Sequence, residues 1–186
     1  MQRKGWLKIP GVQDGDRTLE EQILALAPAL AEASGKTVLD LGCAEGLIAL
    51  EFAKAGAISV LGLEALEGHL AVAREQCAGW PIEFKCFNLN NAGIAVLSHD
   101  IVLALGIIHK LKFPGPGLNF AARSARQLLL LRSGRGSVNG IIRGKHSGNT
   151  CDSAEILRAE GFELEKTVDG PPERAEPVEY WRRVGA

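Results

Sequence analysis

The segment that most limits how this chain can fold is Thr37–Ala57, TVLDLGCAEGLIALEFAKAGA. Thr37 to Leu41 reads as a short strand that carries a carboxylate, Asp40, near its end. Gly42 to Gly46 is a tight turn, Leu47 to Ala55 has helical character, and Gly56 closes it. Gly42 permits a sharp bend with close backbone approach, and Gly46 lets the helix begin without a side-chain clash. A strand passing through a glycine turn into a helix is the building unit of a parallel sheet. Ligands of such sheets bind in the crevice beyond the strand ends.

The rest of the chain continues this alternation. Thr18 and Glu21 form a capping box that opens a helix, with Leu19, Ile23, Leu24, Leu26 and Ala27 at helical spacing. Pro28 should bend or divide that helix, and Gly35 should stop it. Strands follow at Ile58–Leu63, Ile82–Phe87 and Asp100–Leu105, with a helix at Ala65–Cys77 and a polar loop from Asn88 to Gly93. Between Pro114 and Gly144 two readings stay open. In one, a helix begins after Pro116 and runs to Leu131, and the fifth strand is Ser137–Arg143. In the other, the helix ends near Arg126 and Gln127–Arg132 is the strand. Four consecutive leucines fit both, because periodicity does not separate a buried strand from a buried helix turn. Ser153–Glu160 reads as a helix, and Phe162–Val168 with Val178–Val184 as an antiparallel hairpin around the loop DGPPERAEP. The expected fold is α/β, a doubly wound, mostly parallel sheet with helices on both faces and a closing antiparallel C-terminal hairpin. Its 186 residues suit a single domain, with 1–35 as an N-terminal segment and helix and 36–186 as the doubly wound core.

Charge and cysteines narrow the setting. The formal net charge of -1 carries no nucleic-acid or membrane signature for the chain as a whole. Cys43, Cys77, Cys86 and Cys151 form no C-x-x-C pair and no zinc pattern. No apolar run approaches the roughly 20 residues that span a bilayer. The expected compartment is a reducing cytoplasm. The distribution of charge is uneven, however. No acid lies between Asp100 and Asp152, an interval holding Lys110, Lys112, Arg123, Arg126, Arg132, Arg135, Arg143 and Lys145. This interval carries +8 and the remainder -9, so an anionic substrate such as RNA stands beside the alternative of ordinary solvated faces.

Two more polar residues end strands in the order a nucleoside ligand requires. Glu64, in LGLEAL, can accept hydrogen bonds from both hydroxyls of a ribose. Asn88, in CFNLN, has a side-chain carbonyl that can accept from an adenine amino group. With the Asp40–Gly46 turn, these residues make the chain resemble the class I S-adenosylmethionine-dependent methyltransferases from about Thr37 to Leu111. The resemblance implies that Asp40, Gly42, Cys43, Ala44, Glu45 and Gly46 hold the methionine part of S-adenosylmethionine. It places Glu64 and Ala65 at the ribose, and Asn88 and Leu89 at the adenine. The segment LGIIHKL, from Leu105 to Leu111, would line the methyl-transfer site.

Ala44 departs from the family, which often has a third glycine there. The dinucleotide-binding alternative wants G-x-G-x-x-G, whereas Gly42 and Gly46 are four apart with alanine at 44 and an acid just before the turn. The chain also lacks the N/D-P-P-Y/F motif of amino-methylating enzymes and the Pro-Cys nucleophile of cytosine-C5 enzymes.

The expected activity is methyl transfer to a small-molecule acceptor, with the attacked atom (O, N, C or S) left open. The alternatives are methylation of RNA or another anionic substrate, and cofactor binding without transfer. His109 is the candidate general base, since imidazole titrates near neutrality. His146, in RGKHSGN, is a further candidate to face the substrate. His99-Asp100 should sit at the end of its strand away from the cofactor. Trp6 reads as a core anchor or a lid aromatic, with the anchor preferred.

Overall fold

The computed structural model describes residues 4–91, 96–134, 140–144, 147–170 and 176–186. In chain order its elements are β1 (Lys4–Leu7), β2 (Asp14–Arg17), α1 (Leu19–Ile23), α2 (Ala27–Ala31), β3 (Thr37–Leu41), α3 (Leu47–Lys54), β4 (Ser59–Glu64), α4 (Glu67–Gln76), β5 (Ile82–Cys86) and β6 (His99–Leu105). They continue with α5 (Pro114–Ser124), β7 (Ala125–Arg132), β8 (Ile141–Arg143), β9 (Thr150–Asp152), α6 (Ser153–Ala159), β10 (Phe162–Val168) and β11 (Val178–Arg183).

Seven strands form one sheet in the order β10-β11-β7-β6-β3-β4-β5. β5, β4, β3, β6 and β7 are parallel, and β11 runs antiparallel to both β7 and β10. The chain builds outward from β3 to β5, then returns to the other side of β3 as β6. Loops leaving β3 and β6 therefore diverge at the carboxyl edge, which opens a crevice at that switch point.

The leucine run is settled by the sheet. α5 ends at Ser124 and β7 begins at the next residue, so Gln127–Arg132 is strand and the longer helix to Leu131 does not form. Leu128 and Leu130 enter the core that contains Ala49 and Phe52 of α3, whereas Leu129 and Leu131 enter the core that contains Leu118 and Ala121 of α5. A strand covered on both faces needs apolar residues at every position, not at alternate ones. Ile141–Arg143 is also a strand, but it pairs with β9 in a separate two-stranded sheet and does not supply the fifth strand. Residues 137–139 of the proposed Ser137–Arg143 strand lie outside the described residues.

The N-terminal helix divides where Pro28 was expected to divide it. α1 carries the Thr18–Glu21 capping box, a 3-10 turn covers Leu24–Leu26, and α2 has Pro28 in its first turn. Ahead of it, β1 and β2 form a parallel pair outside the main sheet, an element absent from the sequence-based expectation. Among the described residues no helix is long and apolar enough to cross a membrane.

Candidate functional site

β3 carries Asp40 to the carboxyl edge with only 3 % of its surface exposed. Its Oδ2 has no hydrogen-bond partner, and burial, with the Glu64 carboxylate adding to it, pushes its pKa up to about 7. An orphaned carboxylate oxygen beneath a glycine turn is unfavourable unless something else offsets it. The turn above is tied to β4, because the Gly42 and Cys43 amides both donate to the Leu63 carbonyl, at 2.7 and 3.0 Å. Gly42 has φ +73°, and a Cβ there would lie 2.8 Å from the Ile107 side chain, so glycine serves both the bend and the approach of the β6 loop. Ala44 occupies left-handed space at φ +47°, where its Cβ is strained.

Glu64, at the end of β4, links this turn to the next one. Its Oε2 accepts from the Ala44 amide at 3.1 Å, and its Oε1 accepts from the amides of Ala65 and Leu66 at 2.8 and 3.0 Å. A carboxylate offers about four acceptor sites, so capacity remains for a ligand hydroxyl. The carboxylate also faces the start of α4, where positive helix potential favours it.

A pocket of about 400 Å³ opens here. Gly5 and Trp6 of β1, Gly42 and Ala44 of the turn, Glu64, Leu66 and His69, and Leu105, Gly106, Ile107 and Lys110 after β6 line it. Of the residues expected from sequence, Gly42, Ala44, Glu64 and Leu105 are in this lining. Asp40 lies beneath it. Cys43 and Gly46 support the turn, with Cys43 buried and its thiol pKa pushed far up by that burial, so the thiol is inert. Ala65 contributes its amide to Glu64.

Four expected residues stand elsewhere. The Glu45 carboxylate is fully buried and accepts from the amides of Trp6 and Leu7, at 2.9 and 3.4 Å, so it clamps β1 over the turn. Asn88 is exposed, and its carbonyl accepts from the amide and the side chain of Asn90 at 3.0 and 3.1 Å. Leu89 is buried in the core that contains Leu41 and Leu63. His109 is outside the pocket lining; its ring packs on Gly134, where an added Cβ would lie 2.3 Å from Nδ1.

Trp6 corrects the preference for a core anchor. It is half-buried at the pocket, with the Lys110 ammonium 4.5 Å and the Arg17 guanidinium 5.1 Å from its ring centre. Gly5, Leu66 and His69 went unnoticed in the sequence, because β1 and α4 approach the pocket only through tertiary contacts. His69 stands between two carboxylates, 3.9 Å from Glu64 and 3.9 Å from Glu45. Outside the lining, Lys112 ties neighbouring segments together. Its amide donates to Asn90 Oδ1 at 2.7 Å, and its carbonyl accepts from Ser147 Oγ and Asn149 Nδ2.

Three cations of the basic interval are engaged away from the pocket. Arg126 pairs with Asp100 at 2.9 Å on the amino edge, opposite the pocket, and there Asp100 also accepts from Thr37. His99-Asp100 thus sits where the sequence placed it. Arg123 pairs with Glu160, and Arg132 is 5 % exposed and bonded to Gln22, its pKa lowered to about 10 by burial, with the nearby Arg17 charge adding to it. Lys112 and Arg143 are exposed. Arg135, Lys145 and His146 lie outside the described residues.

A family described as "Methyltransferase domain" matches residues 38–129. Magnesium protoporphyrin IX methyltransferase from Synechocystis PCC 6803, solved with bound S-adenosylhomocysteine, is similar at 20 % identity and a TM-score of 0.68 over 88 % of this chain and 81 % of that one. The N-methyltransferase NodS from Bradyrhizobium japonicum WM9 is similar at 14 % identity and a TM-score of 0.68, over 89 % and 86 %. The 1,6-didemethyltoxoflavin-N1-methyltransferase of Burkholderia thailandensis is similar at 19 % identity and a TM-score of 0.62, over 86 % and 78 %. These likenesses establish the fold. No curated protein matches the chain.

Proposed function

We propose that this chain, which matches a methyltransferase domain over residues 38–129, is a class I S-adenosylmethionine-dependent methyltransferase whose carboxyl-edge pocket seats the cofactor and whose acceptor is a small molecule. The observation that carries the cofactor reading is the position of Glu64. It lines the pocket at the end of β4, locked to the Asp40–Gly46 turn by the Ala44 amide. Gly42 and Ala44 offer backbone at the methionine side, and Asp40 offers a buried carboxylate beneath it. Leu66 and Leu105 offer apolar walls. S-adenosylmethionine supplies an electrophilic methyl group on a sulfonium, so the chain's own work is orientation and exclusion of water.

A small acceptor is favoured because three cations of the basic interval are tied up elsewhere. Arg123 and Arg126 are held in ion pairs and Arg132 lies in the core, so these three add nothing to an RNA-binding face. Calorimetry with S-adenosylhomocysteine tests the seat. Glu64→Ala should weaken binding by about 1–3 kcal/mol, the scale of a charged hydrogen bond removed. Unchanged affinity in a folded variant would exclude Glu64 from the site.

A further inference from the structure

Among the described lining residues the ionisable side chains are Glu64, His69 and Lys110. Glu64 and His69 stand together on the β4–α4 side, at the proposed ribose seat. Beyond β6, where an acceptor would lie, the lining is Leu105, Gly106 and Ile107, with Lys110 at its end. His109 is outside that lining; its ring packs on Gly134, and its Cε1 would lie 3.9 Å from a Cβ on Gly106. The described lining on that side therefore presents a cation and no side chain of its own suited to take a proton at neutral pH. Trp6 holds the cation in place, with the ammonium over its ring and Arg17 against the same ring.

An acceptor here must arrive already deprotonated. A phenol titrates near 10 and an alkylammonium near 10.4, so both are in their unreactive form at neutral pH, whereas a carboxyl group near 4 is ionised. The Lys110 charge also favours an anion over a neutral or cationic molecule. We propose that the acceptor is a small carboxylic acid, drawn in by Lys110 and methylated on its own carboxylate. This inference rests on the methyl-transfer reading above. A carboxylate has two oxygens, so one can face the ammonium while the other attacks. The attacking oxygen's lone pair forms the new bond to the methyl carbon as the carbon–sulfur bond breaks, and that bond's electron pair stays on sulfur. The sulfonium becomes a neutral thioether, the carboxylate becomes a neutral ester, and no proton is released. The ester no longer attracts Lys110, which favours its departure.

The test is methyl-deuterated S-adenosylmethionine incubated with the protein and a metabolite extract separated into acidic, neutral and basic fractions, read by mass spectrometry. The expected product is a hydroxide-labile deuteriomethyl ester from the acidic fraction. Lys110→Met should raise KM for that acid about five- to tenfold with kcat within about twofold, the pattern of a lost recruiting contact. His109→Gln should leave both within about twofold. A labelled ether or N-methyl product, a collapse of kcat in His109→Gln, or no label in any fraction from protein that binds S-adenosylhomocysteine would each overturn the proposal. Failure to bind S-adenosylhomocysteine would instead refute the cofactor reading beneath it.

Discussion

Asp40→Asn isolates the cost of the carboxylate that β3 carries into the interior. The group's pKa rises from 3.8 to about 7 through burial, with the Glu64 charge adding to it. For an acid raised in the folded state, the native protein holds its proton where the unfolded chain has lost it. The stability linked to that proton is fully present below pH 3.8 and is lost as pH climbs through about 7. Three pKa units at 1.36 kcal/mol each set the whole loss at about 4 kcal/mol. Between pH 5 and pH 8 the share is about 3 kcal/mol, because part has already gone by pH 5. Asparagine does not titrate. Its amide adds an offset at Asp40 Oδ2, but the same offset at every pH, and the groups not coupled to Asp40 titrate alike in both proteins. Urea unfolding at pH 5, 6, 7 and 8 should therefore show Asp40→Asn gaining on the wild type by about 3 kcal/mol across the range. A difference that stays constant with pH would refute the buried, proton-holding Asp40.

Two further substitutions test the turn and its clamp. Ala44→Gly should stabilise the protein by up to about 1 kcal/mol in thermal or urea unfolding, because the left-handed strain relieved exceeds the unfolded-state entropy added; a loss of stability would mean that Ala44 is not strained. Glu45→Gln should raise amide hydrogen exchange at Trp6 and Leu7 about tenfold while leaving Leu39 and Val102 unchanged, since only β1 loses a charged acceptor; unchanged exchange at Trp6 would show that β1 is held elsewhere.

Legibility from sequence followed the range of the interaction. The Thr18–Glu21 capping box, Pro28 at the helix division and the Asp40–Gly46 turn were all readable, because each is a contact within a few residues. The C-terminal hairpin was readable from two strand-like segments around an acidic, proline-rich loop. The leucine run was not, because a strand buried on both faces loses the alternation that marks it.

The same division runs through the site. Glycine spacing and polar residues at successive strand ends are properties of the chain in order, and they carried the resemblance to the methyltransferases and pointed to Glu64, which lines the pocket. Which neighbouring side chains face the pocket was decided by tertiary structure alone. Glu45 adjoins the turn in sequence yet bonds Trp6 and Leu7, nearly forty residues away. His109 and Lys110 are adjacent, but one packs on Gly134 and the other lines the pocket over Trp6. Side-chain direction at a 3-10 turn depends on the surface it packs against, and β1 and the end of β7 reach that surface only when the sheet has assembled.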